Sequence, residues 1–181
     1  MRDESPGESD PDTEAEDWRP VSGIEIGFVL LLLAYVLWQH FLTEDRWVFL
    51  LDNANLAIHE AGHPLIGLLS ERLMVYGGTL FQLAFPLAFA LHFRRQRHAT
   101  GWAVSLAWFG ENLLNVGRYM ADARAQLLPL VGGEHDWTEI WGRWGLLARD
   151  TSLGGFTRLI GLAVMVWAAF WLWRRWCSAQ D

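Results

Sequence analysis

IEIGFVLLLLAYVLWQHFL, residues Ile24–Leu42, decides the fold. Val29 to Trp38 is an unbroken apolar run, and only Glu25, Gln39 and His40 are strongly polar in the whole stretch. About 20 apolar residues span a bilayer as a helix, and this block supplies them. Four further apolar segments follow, at roughly 47–70, 79–93, 99–121 and 156–173. The second and third are short or interrupted by Gly and Pro, Pro86 among them. Each can be a full span or a re-entrant piece, because irregular backbone is tolerated at membrane depth where it lines a cavity. The pattern predicts an all-α, multi-pass helical membrane protein with about five hydrophobic segments.

The rest of the composition agrees. Of 181 residues, 52% are hydrophobic, with 12 Trp and 10 Phe. The net charge of -7 is local: residues 1–20 hold eight acids against Arg2 and Arg19. That stretch reads as a disordered acidic tail, and 21–181 as the helical membrane domain. It lacks the basic start of a secretory signal, so the first apolar block is expected to stay in the mature chain. Every basic residue is Arg, and the acidic balance gives no electrostatic case for nucleic acid; the expected partner is the lipid bilayer. Arg94, Arg95 and Arg97 lie between the third and fourth segments, and Arg174 and Arg175 close the fifth. The positive-inside rule puts both clusters in the cytoplasm. With five spans, the N-terminus is then expected outside and the C-terminus in the cytoplasm.

The second segment carries His59-Glu60-Ala61-Gly62-His63. Histidines four apart on a helix share a face, so both imidazoles can reach one Zn2+, and Glu60 beside them can accept a proton from a water. This is the spacing of the H-E-x-x-H zinc hydrolases. Two His and a Glu are expensive inside an apolar segment unless they find partners or a metal. Cys177 is the only cysteine, so a metal site must use His and carboxylates. Pro64, directly after the second His, is expected to disturb the helix near Glu60.

The motif in its hydrophobic setting resembles the site-2-protease-like intramembrane zinc metalloproteases. The resemblance implies Zn2+ held by His59 and His63, Glu60 as catalytic acid/base, and a membrane-associated polypeptide as substrate. That family takes its third ligand from an Asp near Asn-Pro and Asp-Gly signatures. This chain has instead Asn112-Leu113-Leu114-Asn115 followed by Asp122.

The third ligand is therefore argued from the residues themselves. Glu111, Asn115, Arg118 and Asp122 make one polar stripe on the fourth segment. Such a stripe faces the bundle interior, as an active-site wall or as an ion-pair ladder with Arg118 between Glu111 and Asp122. His135-Asp136 is the other source, with His135 as ligand and Asp136 as its accessory carboxylate. Asp136 and Glu139 also read as a capping box for a helix whose Trp137, Trp141 and Trp144 suit a membrane interface. His135 and Asp122 are the expected ligands, ahead of Glu111. If the second segment starts near Trp47, His59 and His63 lie near mid-membrane, level with Glu111, and His135 has to fold inward to reach them. Gly77-Gly78 reads as a turn, Gln82 as packing, and His40, His92 and His98 as interfacial.

Two rival functions use the same residues. One is a non-catalytic metal-binding membrane protein, a sensor or interaction partner. The other, a di-iron hydroxylase, is disfavoured because six histidines are too few for its several His boxes.

Overall fold

The computed structural model describes residues 18–131, 134–178 and 180. The acidic tail up to residue 17 and the Gly132-Gly133 pair lie outside the described residues. The chain is all-helical: α1 Gly23–Leu42, α2 Phe49–Gly67, α3 Glu71–Arg95, α4 Ala99–Ala121, α5 Asp136–Trp144 and α6 Asp150–Ser178, with a short 3-10 turn at Leu147–Arg149.

Helix α1 starts on a capping box, in which Ser22 and Glu25 satisfy each other's free backbone N–H. Its inward face is Ile26, Val29, Leu33, Val36 and His40, at helical spacing. Its outward face is just as apolar, with Phe28, Leu31 and Trp38 exposed. A helix that is apolar all round is not at rest against water. Three helical stretches, α1, α3 and the run Leu147–Ser178, are long and apolar enough to cross a membrane. Sequence pattern marked about five such segments. The difference falls on α2 and α4, whose Asp52, Asn55, His59, Glu111, Asn112 and Asn115 are turned into the bundle. The third and fifth segments also extend beyond their apolar stretches, to Glu71 and Asp150.

Glycines set the packing. Helix α4 runs antiparallel to α6, with Gly110 on Gly161 and Gly117 on Gly154. A Cβ on Gly110 would lie 2.7 Å from the Gly161 carbonyl oxygen, and one on Gly117 would lie 2.6 Å from that of Gly154. Small residues of this kind let membrane helices touch backbone to backbone. Helices α2 and α3 form a second antiparallel pair, closed at Gly62 and Gly77. Gly77-Gly78 is thus not a turn; it lies inside α3, where α2 approaches.

Helix α5 does not lie on the membrane interface as a Trp stripe. Trp137 and Trp141 are buried with Ile140 against Val75, Val116 and Met120, and only Trp144 is exposed.

The start of α1 sits beside the α3–α4 connection. Arg19 N donates to the Arg97 carbonyl (2.8 Å), and Thr100 Oγ1 donates to Glu25 (3.1 Å). Arg175, near the end of α6, lies 5.7 Å from the Trp18 ring centroid. Trp18, both Arg clusters and the end of α6 therefore share one end of the bundle.

Candidate metal centre

Helix α2 buries Asp52, Asn55, His59 and Gly62, one stripe at helical spacing, and exposes Phe49, Leu50 and Leu65. His59 lies at the level of Tyr119, in the last turn of α4 (ring centroids 6.1 Å apart). His63 lies at the level of Met74, in the first turn of α3. The pair is thus near the end of the bundle opposite the Arg clusters, not at its middle. Pro64 stays within α2, and its missing N–H leaves the Glu60 carbonyl without a helical donor.

The two imidazoles are held from behind. His59 Nδ1 is 3.0 Å from Gln82 Oε1, and His63 Nδ1 is 3.0 Å from the Met74 carbonyl oxygen. A carbonyl only accepts, so each Nδ1 carries its proton and each Nε2 points away with a lone pair or a second proton. Both Nε2 atoms face one carboxylate oxygen: Asp136 Oδ2 is 3.0 Å from His59 Nε2 and 3.3 Å from His63 Nε2. Ligand atoms bound tetrahedrally to Zn2+ at about 2.0–2.2 Å stand about 3.3 Å from one another. The two oxygen–nitrogen separations are close to the edges of such a tetrahedron, and the carboxylate and two oriented imidazoles require a cation among them, as protons or as a metal. Gly78 makes the room, since a Cβ there would press to 2.6 Å from His59 Cδ2 and Cε1.

Asp136 reaches this point because α5 begins there. His135, not Asp136, caps the helix, accepting from Thr138 N at its Nδ1 (3.3 Å). The expected capping box is absent, and Asp136 is free to turn toward α2. Its own backbone N–H donates to the Tyr119 hydroxyl (3.1 Å). Burial pushes the Asp136 carboxyl up, but the hydrogen bonds of His59 and His63 outweigh it and hold the group below the usual carboxylate range.

The residues expected as third ligand stand elsewhere. His135 is buried; its Nε2 faces Asp122 Oδ2 at 3.5 Å and its ring stacks on Tyr119. Burial pushes its imidazole below the ordinary value. Asp122 accepts from Leu127 N and Leu128 N, both at 3.0 Å, closing the turn after α4. Neither joins the pair, because each is spent on the connection that delivers Asp136. Arg118 donates to the carbonyls of Asp45 (3.2 Å) and Arg46 (3.1 Å), so no Glu111–Arg118–Asp122 ladder forms among the described residues. Glu111 and Asn115 meet Asp52, Asn55 and His40 in a separate cluster, and His40 is buried rather than interfacial. Glu60 is half-buried beside the pair and enters no side-chain hydrogen bond among the described residues.

Sequence reasoning missed Gln82, Gly78 and Tyr119. Gln82 was legible in principle: it stands four residues after Gly78, on the face of α3 that meets His59.

No family model, curated protein or solved structure matches the chain. The likeness to intramembrane zinc proteases is carried by the residues around His59–His63 alone.

Proposed function

We propose that the chain is a membrane-embedded zinc metallopeptidase acting on membrane-associated polypeptides. The observation that carries this reading is the convergence of His59 Nε2, His63 Nε2 and Asp136 Oδ2, with both Nδ1 atoms committed to carbonyl oxygens behind them. These three side chains would hold the zinc, leaving a fourth position open as catalytic zinc sites require. Zinc bound there supplies a Lewis acid that acidifies a water and polarises a peptide carbonyl. Glu60, next to His59 on α2, takes the proton of the attacking water and returns it to the leaving amine. Gln82 and the Met74 carbonyl fix the tautomers, and Tyr119 fixes the backbone of Asp136.

The chain crosses the bilayer several times. With the Arg clusters cytoplasmic, the start of α1 and the end of α6 are both cytoplasmic. The zinc centre then lies toward the opposite leaflet.

The test is Glu60→Gln in proteoliposomes co-reconstituted with a membrane-protein extract. Wild type and variant should retain zinc equally, and mass spectrometry should find new polypeptide termini with wild type only. Equal cleavage by both would sink the peptidase mechanism. Cleavage by neither, with zinc retained, would leave the same ligands to a non-catalytic metal-binding role.

A further inference from the structure

Halfway along α4 a second group of side chains meets, outside the zinc centre. His40 of α1, Asp52 of α2 and Glu111 of α4 each bring one ligand atom within 4.8 Å of the other two. His40 Nε2 is 3.2 Å from Glu111 Oε1. The three residues are only 4%, 2% and 1% exposed.

Neutral donors hold the carboxylates in place. Asn55 Nδ2 donates to Glu111 Oε2 (2.9 Å), and Trp108 Nε1 donates to Asn55 Oδ1 (2.8 Å). Asn115 Nδ2 donates to both Asp52 and Glu111, and the Val48 N–H donates to Asp52 Oδ2. What these donors do not supply is charge. Arg118, the nearest guanidinium on α4, is turned to the carbonyls of Asp45 and Arg46 and forms no ion pair with either acid among the described residues. Two carboxylates side by side away from water cannot both stay ionised without a compensating cation. His40 alone, protonated, would offset one of them.

A divalent cation offsets both at once. One imidazole nitrogen and two carboxylate oxygens, from three helices, are a donor set for a borderline metal such as Zn2+, Mn2+ or Fe2+, with water or an Asn oxygen completing the coordination. We infer that His40, Asp52 and Glu111 form a second, buried site for a divalent transition-metal cation, distinct from the His59–His63–Asp136 centre. Its position at mid-bundle ties α1 to α2 and α4.

The test counts metal ions per chain by mass spectrometry after equilibration of the detergent-purified protein with Zn2+ or Mn2+ and removal of free ion. Wild type should hold two. The His59→Ala/His63→Ala variant should hold one, and the isosteric Asp52→Asn/Glu111→Gln variant should also hold one. A wild type with one ion and a His59→Ala/His63→Ala variant with none would overturn the second site and leave the first intact. One ion in both would retain the second site and remove the first. Should the Asp52→Asn/Glu111→Gln variant fail to fold, the count in His59→Ala/His63→Ala decides alone. An unchanged count in a folded Asp52→Asn/Glu111→Gln variant would also overturn the site, because protons then hold the charge.

Discussion

His59 Nε2 lies 3.0 Å from Asp136 Oδ2, across 77 residues of chain. The contact closes the bundle at one end. It draws the N-terminus of α5 onto the face of α2 that carries both imidazoles, and it adds a carboxylate to the histidine pair, the third donor of the proposed zinc site.

The carbonyl groups behind the imidazoles are expected to matter almost as much as the ligands. Gln82→Leu keeps the volume in α3 but removes the acceptor of His59 Nδ1–H. Outer partners of this kind typically change metal affinity by about 10–100-fold. Zinc affinity measured by competition with a chromogenic chelator should weaken by that factor. An unchanged affinity would mean that the His59 tautomer is set by something other than Gln82.

Glycines should separate into two classes. At Gly78 a Cβ meets the His59 ring, so Gly78→Val should displace that ring and lower zinc affinity at least tenfold. At Gly155, on α6, a Cβ meets nothing within 4 Å. Gly155→Ala should be tolerated and should stabilise the helix by about 0.5–1 kcal/mol, the usual gain from replacing a mid-helix glycine. Gly117→Ala, by contrast, forces a Cβ onto the Gly154 carbonyl and should lower the thermal midpoint. Thermal unfolding in detergent reads all three, and a neutral Gly117→Ala would contradict the backbone-to-backbone packing of α4 on α6.

Sidedness follows from the same contacts. Cys177 and a cysteine placed at Gln96 should react with a membrane-impermeant maleimide from one side of sealed vesicles. A cysteine placed at Gln126, in a Cys177→Ser background, should react only from the other side. Labelling of Gln96→Cys and Gln126→Cys from one side would contradict the arrangement of α4.

Much of this was legible in the residues. The apolar blocks give the helices, and His59-Glu60-Ala61-Gly62-His63 gives two imidazoles at one place on α2 and the neighbouring acid, because both depend on spacing within one helix. That Asp136 meets the two imidazoles was not legible, since it depends on where the bundle ends. Counting rise from Trp47 put the His pair at mid-membrane and made Glu111 its neighbour in depth. In the structure α2 begins only at Phe49, and His59 comes level with Tyr119 in the last turn of α4 while His63 reaches Met74 in the first turn of α3. The connection after α4 then needs no deep inward fold. Asp136 seemed committed to a capping box, and only the capping of α5 by His135 releases it. Gly77-Gly78 misled for a related reason: paired glycines mark a turn in water, but a close helix contact in a membrane bundle.

Tyr119→Phe offers a finer probe. It removes the hydroxyl that accepts from Asp136 N while keeping the ring that packs on His135. A neutral hydrogen bond is worth about 0.5–1.5 kcal/mol, so zinc affinity should drop by no more than about tenfold. A complete loss of metal would show that the hydroxyl does more than orient the start of α5.

The zinc content of single-ligand variants bears most directly on the centre itself. It should be read as zinc lost from the His59–His63 site, by X-ray absorption at the zinc edge with the Asp52→Asn/Glu111→Gln background removing any second ion. Asp136→Ala should lose that zinc, while His135→Ala and Asp122→Ala should keep it with two-imidazole ligation. Zinc retained in Asp136→Ala and lost in His135→Ala would contradict the assignment of Asp136 as the third ligand.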